Sequence, residues 1–125
     1  MLKTLRQHHI SFKNAFAGLI WAVKTQPNFR VHMVISLIVI SMSIYFQITA
    51  VEKVILLFTI LLGLSGEMIN TALESMTDLI TKEWRQEAKI AKDVAAGMML
   101  LIAMGAVVIG AVIFLPYVRG TAPGL

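Results

Sequence analysis

Five polar residues in the middle of the chain have types and spacings that could do chemistry: Glu67, Asn70, Thr71, Glu74 and Asp78. At about 100° per residue they fall within an arc of roughly 100° on a helix, while Met68, Ile69, Leu73, Met76, Leu79 and Ile80 take the other faces. Three carboxylates and an amide on one stripe of an apolar helix are costly unless they pair, bind metal or face water. Carboxylates at i and i+7 with an amide between them suit a hard cation such as Mg²⁺, which takes oxygen ligands and often shares them with substrate phosphates. A carboxylate at a membrane boundary could also take the proton of a lipid hydroxyl. Lys92, at the expected start of a later helix, adds a cation where free backbone N–H groups favour anions. Metal, cation, helix N-terminus and base together describe a phosphoryl-transfer site. The competing reading makes Glu67, Asn70 and Glu74 interhelical hydrogen-bonding glue.

The elements that must position this stripe are membrane helices. Hydrophobic residues make up 58% of 125 residues, charged residues only 14%, and mean hydropathy is +0.80. A soluble domain of this size cannot hide that much apolar surface, so the solvent is lipid. Residues 1–125 read as a single membrane domain, too small to enclose a deep site alone, which points to a homo-oligomer. There is no cysteine, hence no disulfide framework and no thiolate metal site. The opening Met-Leu-Lys-Thr-Leu-Arg lacks the apolar core of a signal peptide. A net charge of +4 in such a chain reports topology and anionic headgroups rather than nucleic acid.

Residues 1–30 carry Phe12, Phe16, Leu19, Ile20 and Val23 on one helical stripe with Lys13 and Lys24 off it, the pattern of an N-terminal amphipathic surface helix. Trp21 suits headgroup level, and Pro27 is expected to break the helix. Span one covers 31–48, about 27 Å if helical and just enough to cross. Span two covers 51–80 and, at about 45 Å, exceeds a hydrocarbon core of roughly 30 Å, so its last turns form a cytoplasmic extension. Glu67 then lies near the headgroup boundary, with Glu74 and Asp78 beyond it. Residues 81–92 form a charged, partly helical connection. Span three covers 93–115, rich in small residues for close helix packing, with Pro116 expected to end it and 116–125 a flexible tail.

Lys3, Arg6, Lys13, Lys24 and Arg30 precede span one, and Lys82, Arg85, Lys89 and Lys92 lie in the 81–92 loop. The opposite ends hold only Lys53 and Arg119, which places the N-terminus and the 81–92 loop in the cytoplasm. The stripe opens on that side, where nucleotide is available. No Gly-rich phosphate loop or protein-kinase catalytic loop is present. His8 and His9 adjoin each other and His32 is distant, so the histidines have no metal-ligand spacing.

The combination Asn28-Phe29-Arg30-Val31-His32, Glu67-x-x-Asn70-Thr71-Ala72-x-Glu74-x-x-x-Asp78 and Ala91-Lys92-Asp93-x-Ala95-Ala96-Gly97 resembles the bacterial membrane diacylglycerol kinase/undecaprenol kinase family across residues 12–116, with the motif forms of the undecaprenol kinase branch. The resemblance implies an all-α integral membrane homotrimer of the bacterial inner membrane, each subunit a surface helix plus three transmembrane helices. It implies ATP- and Mg²⁺-dependent phosphorylation of a lipid hydroxyl, that of undecaprenol in this branch, with diacylglycerol as the alternative acceptor. It casts Glu67 as catalytic base at the lipid substrate and Glu74 as metal and nucleotide ligand. Asn70, Glu83, Trp84, Arg85, Lys92 and Asp93 fall at nucleotide-site positions. Where the family has a second metal-binding glutamate, this chain has Gln26, a weaker Mg²⁺ ligand. Glu52, Asp78, Glu83 and Glu87 are the acids that could compensate. Outside this class stand a small oligomeric ion or proton pathway and a non-catalytic membrane assembly protein. The pathway would need ionisable groups through the bilayer centre, which spans one and three do not supply.

Overall fold

The computed structural model describes residues 2–122, with side chains from residue 11 onward. It is all helix and turn among these residues: α1 (Leu2–Thr25), α2 (Pro27–Tyr45), α3 (Ala50–Ile80) and α4 (Gln86–Val118). The last three are long and apolar enough to cross a membrane. Their outward faces carry Leu37, Phe58, Leu61, Leu101 and Val107, all exposed, as a lipid solvent permits. Phe12 and Phe16 on the apolar stripe of α1 are exposed too. His8 and His9 lie outside the described side chains.

Pro27 does more than break a helix. It forces Gln26 into extended backbone (φ −99°, ψ 107°) and then serves as the first residue of α2, where its missing N–H costs nothing. Asn28, Phe29 and Arg30 are therefore helical and belong to α2 rather than to the surface segment. Span one is displaced accordingly, ending at Tyr45 instead of Ile48. Beyond it Gln47 takes a left-handed conformation (φ 50°), and Ile48, 2% exposed, tucks under the turn. Thr49 then opens α3 with a capping box. Its hydroxyl accepts from the Glu52 N–H at 3.3 Å, and the Glu52 carboxylate accepts from the Thr49 N–H at 2.8 Å.

Helices α3 and α4 form the principal antiparallel pair, tied at both ends. Tyr117 donates to Glu52 at 2.7 Å, and 26 residues further along α3 Asp78 accepts from Lys92 at 2.5 Å. At the Glu52 end, Leu56, Ile113 and Phe114 bury themselves with Ile48, and Phe46 packs its ring 6.1 Å from that of Phe114. Nearer Glu67 the pair closes up: a Cβ on Gly66 would stand 2.7 Å from Ile102 Cδ1 and 3.0 Å from Met99 Sδ.

The 81–92 connection is partly helical: its non-helical part is 81–85, and Gln-Glu-Ala-Lys-Ile-Ala-Lys is a run of helix formers that extends α4 back to Gln86, ahead of the expected start of span three at 93. One expectation about α4 is corrected. Pro116 does not end the helix. It sits within the last turn, where a single lost N–H is tolerated, and α4 continues to Val118. Residues 119–122 then fold back, with Gly120 at φ +67°, Thr121 N–H donating to the Pro116 carbonyl at 2.9 Å, and Ala122 buried. The rest of the expected tail, 123–125, lies outside the described residues.

Candidate active site

Along α3 the polar stripe passes from buried to open. Glu67 is 4% exposed, Asn70 7% and Thr71 9%, whereas Glu74 and Asp78 are exposed. Glu67 follows Gly63 and Gly66, both buried, so small residues draw neighbouring elements over this part of the helix. No hydrogen bond from the described residues reaches the Glu67 carboxylate, which leaves it free to accept a proton. Asn70 donates from Nδ2 to Glu74 Oε1 at 3.0 Å, and its Oδ1 is buried with no partner. An unsatisfied buried carbonyl oxygen is unusual and marks a place for a ligand.

One to two turns further on lies a cleft of about 460 Å³, lined among others by Asp78, Lys82, Trp84, Arg85, Lys92 and Asp93. Glu83 and Lys89 complete its charged wall. Arg85 pairs with Glu83 at 3.2 Å, Lys89 with Asp93, and Lys92 with Asp78. These pairs are mostly exposed and individually worth about 0–1 kcal/mol, so they can exchange partners with an incoming polyphosphate. Trp84, 78% exposed, offers an unstacked ring beside four cations.

The cleft thus gathers Glu83, Trp84, Arg85, Lys92 and Asp93. It does not include Glu67, Asn70 or Glu74. Glu67 precedes Asp78 by 11 residues, about 16 Å along the helix axis. Glu74, bonded to Asn70 and one turn from Asp78, links the two parts. Lys92 is not at a helix N-terminus as expected; the first helical N–H of α4 to find a carbonyl is that of Lys89, which donates to Arg85 at 3.0 Å, so the free groups belong to residues 86–88 and Lys92 contributes charge alone.

Gln26 lies at the α1–α2 junction and donates to Thr25 Oγ1 at 3.3 Å. Of the acids that could stand in for the missing glutamate, Glu52 is removed from consideration. It precedes Glu67 by 15 residues, about 22 Å along the axis, and its carboxylate is held by Thr49 and Tyr117. Among the described residues no three His, Asp or Glu side chains stand together as a metal cage. Glu74 and the orphaned Asn70 Oδ1 nevertheless fit a hard cation that completes its shell with phosphate oxygens and water.

A family model described as prokaryotic diacylglycerol kinase matches residues 13–114. The chain belongs to that family. It is 41% identical over 108 residues to the diacylglycerol kinase of Synechocystis sp., covering 86% of this chain and 62% of that protein, less than two thirds of its length. It is 35% identical over 106 residues to the undecaprenol kinase of Bacillus subtilis, covering 85% and 86% of the two chains. The diacylglycerol kinase of Haemophilus influenzae is 27% identical over 117 residues, with 91% and 99% covered. All three names are those of lipid kinases, but they divide between two acceptors. Family membership agrees with the all-α membrane fold and with the resemblance carried by the motifs; the undecaprenol branch is not singled out.

Sequence reasoning missed two features of this family member. The Asp78–Lys92 pairing needs the antiparallel register of α3 and α4, which no motif encodes. His32, to which the spacing assigns no role, is half-buried on α2, with Nδ1 3.9 Å from where a Cβ on Gly63 would sit. The available signal was Gly63 itself, one helical turn before Glu67 on the same face.

Proposed function

We propose that the chain is an ATP-dependent kinase that moves the γ-phosphoryl group onto the hydroxyl of a long-chain prenol, undecaprenol, at the inner face of the bacterial cell membrane. The observation that carries the reading is the stripe on α3. A buried, unpaired Glu67 leads through Asn70 and Glu74 to a cleft with four cations, so an apolar alcohol and a polar nucleotide can approach the same helix from opposite ends.

In this scheme Lys82, Arg85, Lys89 and Lys92 hold the polyphosphate, and Trp84 covers the nucleotide. Glu74 and Asn70 Oδ1 would hold Mg²⁺, which would supply neutralisation of phosphate charge. Glu67 takes the proton of the acceptor hydroxyl as its oxygen forms the new bond to the γ-phosphorus. The bond from that phosphorus to the β–γ bridging oxygen breaks, and ADP leaves with the electron pair. Gln26 weakens the metal shell without removing it. A chain this small encloses no deep site, and among the described residues no three His, Asp or Glu side chains stand together, which supports a site completed in a homo-oligomer, the homotrimer that the motif resemblance implies. The excess of Lys and Arg before α2 and between α3 and α4 supports a cytoplasmic position for the N-terminus and for the cleft.

The test is to incubate purified protein with ATP, Mg²⁺ and each of several hydroxyl lipids, and to identify the lipid-phosphate product. Undecaprenyl phosphate as the preferred product is expected. ATP consumption without any lipid phosphate would overturn the kinase reading. Phosphatidic acid as the preferred product would establish the second reading, diacylglycerol kinase, which the match to the Synechocystis protein favours.

A further inference from the structure

Of the three ion pairs in the cleft, one is unlike the others. Arg85 and Glu83 are near neighbours in the 81–85 connection, and Lys89 and Asp93 stand one turn apart on α4, so both pairs follow from local chain geometry. Asp78 and Lys92 meet across the interface of α3 and α4, with Nζ 2.5 Å from Oδ1. Lys92 is also the most enclosed of the three paired cations, its side chain 40% exposed against 59% for Lys89 and 63% for Arg85. The least solvated of these cations is therefore already engaged by a carboxylate of the opposite helix.

That engagement bears on what α3 carries one turn earlier. Glu74 and Asp78 are four residues apart, so their Cβ atoms lie about 5–6 Å apart on one face, a like-charge spacing that is unfavourable unless a cation offsets it. Glu74 accepts from the neutral Asn70 amide, and no ion pair among the described residues reaches it. Lys92 is thus the cation that offsets both acids. When Lys92 turns to an incoming phosphate, Asp78 is left bare beside Glu74 and faces further negative charge. A metal-free polyphosphate deepens that imbalance. A polyphosphate that brings a divalent cation relieves it, since Glu74 and the partnerless Asn70 Oδ1 fit such an ion.

Resting on the reading of the cleft as a polyphosphate site, we propose that Asp78 is a specificity-determining residue. By holding Lys92 in reserve, it makes the cleft select the divalent-cation complex of a polyphosphate over the bare anion. Asp78 gives up Lys92 only where the positive charge that Lys92 supplied to α3 is replaced. An exposed ion pair of this kind shifts an equilibrium by at most about fivefold, so the selectivity it adds is of that order and fades as salt rises.

The full chain in detergent micelles is titrated with a non-hydrolysable fluorescent ATP analogue, once with EDTA and once with excess Mg²⁺, and with tripolyphosphate as competitor under both conditions. The readout is the ratio of the two dissociation constants, with thermal unfolding followed in the same detergent. The variants are Asp78→Asn, Asp78→Glu, Asp93→Asn and the exchanged pair Asp78→Lys with Lys92→Asp. Asp78→Asn is expected to tighten the metal-free analogue roughly three- to fivefold at low salt and to change the Mg²⁺ complex by less than about twofold. Asp78→Glu, which keeps the charge, is expected to keep the wild-type ratio, and a lost preference there overturns the proposal. An unchanged ratio in Asp78→Asn overturns it too. So does an equal shift in Asp93→Asn, an acid of the same cleft and similar exposure, since any negative charge would then suffice. Recovery of the wild-type ratio by the exchanged pair also overturns it, because tying α3 to α4 would then be the pair's whole role. If the Asp78→Asn shift is found and no lipid is phosphorylated, the inference stands and the kinase reading falls. A wild type that binds the analogue under neither condition overturns the inference together with the polyphosphate reading of the cleft.

Discussion

Glu67→Gln separates the roles open to the buried acid more cleanly than any other single change. The side chain keeps its size and loses only its capacity to hold a proton taken from the acceptor. General-base catalysis contributes typically 10²–10⁴ in rate, so kcat should fall by about 10²–10⁴-fold, equivalent to roughly 2.7–5.5 kcal/mol in the barrier. Nucleotide binding should survive. Asp78 at the cleft is 11 residues on, about 16 Å along α3, and Glu67 does not line the cleft. Stability should not drop either, because no hydrogen bond from the described residues is broken and the side chain keeps its volume. The assay is transfer of labelled phosphate to prenol in mixed micelles, alongside titration of a fluorescent ATP analogue and thermal unfolding in the same detergent. A parallel loss of Tm and of activity would refute the reasoning and support interhelical glue instead. Retained kcat with an altered lipid KM would refute it differently, by making Glu67 a binding group only.

Glu74→Gln should behave in the opposite sense, weakening MgATP binding several-fold while leaving lipid KM unchanged; isothermal titration with MgATP against ATP alone checks it. Gln26→Glu should raise lipid phosphorylation, most clearly at limiting Mg²⁺; unchanged or lower turnover at saturating Mg²⁺ would show that the position does not face metal. Tyr117→Phe removes the hydrogen bond to Glu52 that ties α4 to α3, and should cost about 1 kcal/mol of stability without altering either KM, as measured by unfolding in detergent and by kinetics.

The candidate stripe is legible in the sequence because its signals are local. A carboxylate at i and another at i+7 share a face in any helix, and polar residues in an apolar run stand out whatever packs against them. Glu67, Asn70, Thr71, Glu74 and Asp78 are therefore found where their spacing placed them, on one stripe of α3. The errors concern how far helices run. Pro27 and Pro116 were both taken as stops, but one begins α2 and the other sits harmlessly in the last turn of α4. A proline's effect depends on which N–H groups are already unpaired, and that is set by the helix ends.

Composition and hydrophobic runs alone determined that this is an all-α chain whose solvent is lipid, and that one of its helices carries an acidic stripe. Tertiary structure decided which of those acids are enclosed, that Asp78 meets Lys92, and that Glu52 belongs to the other end of the molecule. It also brought His32 of α2 beside Gly63 of α3, two residues that sequence separates by 31 positions. Intrahelical geometry follows from covalent spacing, whereas the partner across a helix interface follows from register and closeness, which small residues such as Gly63 and Gly66 set only once another helix lies against them.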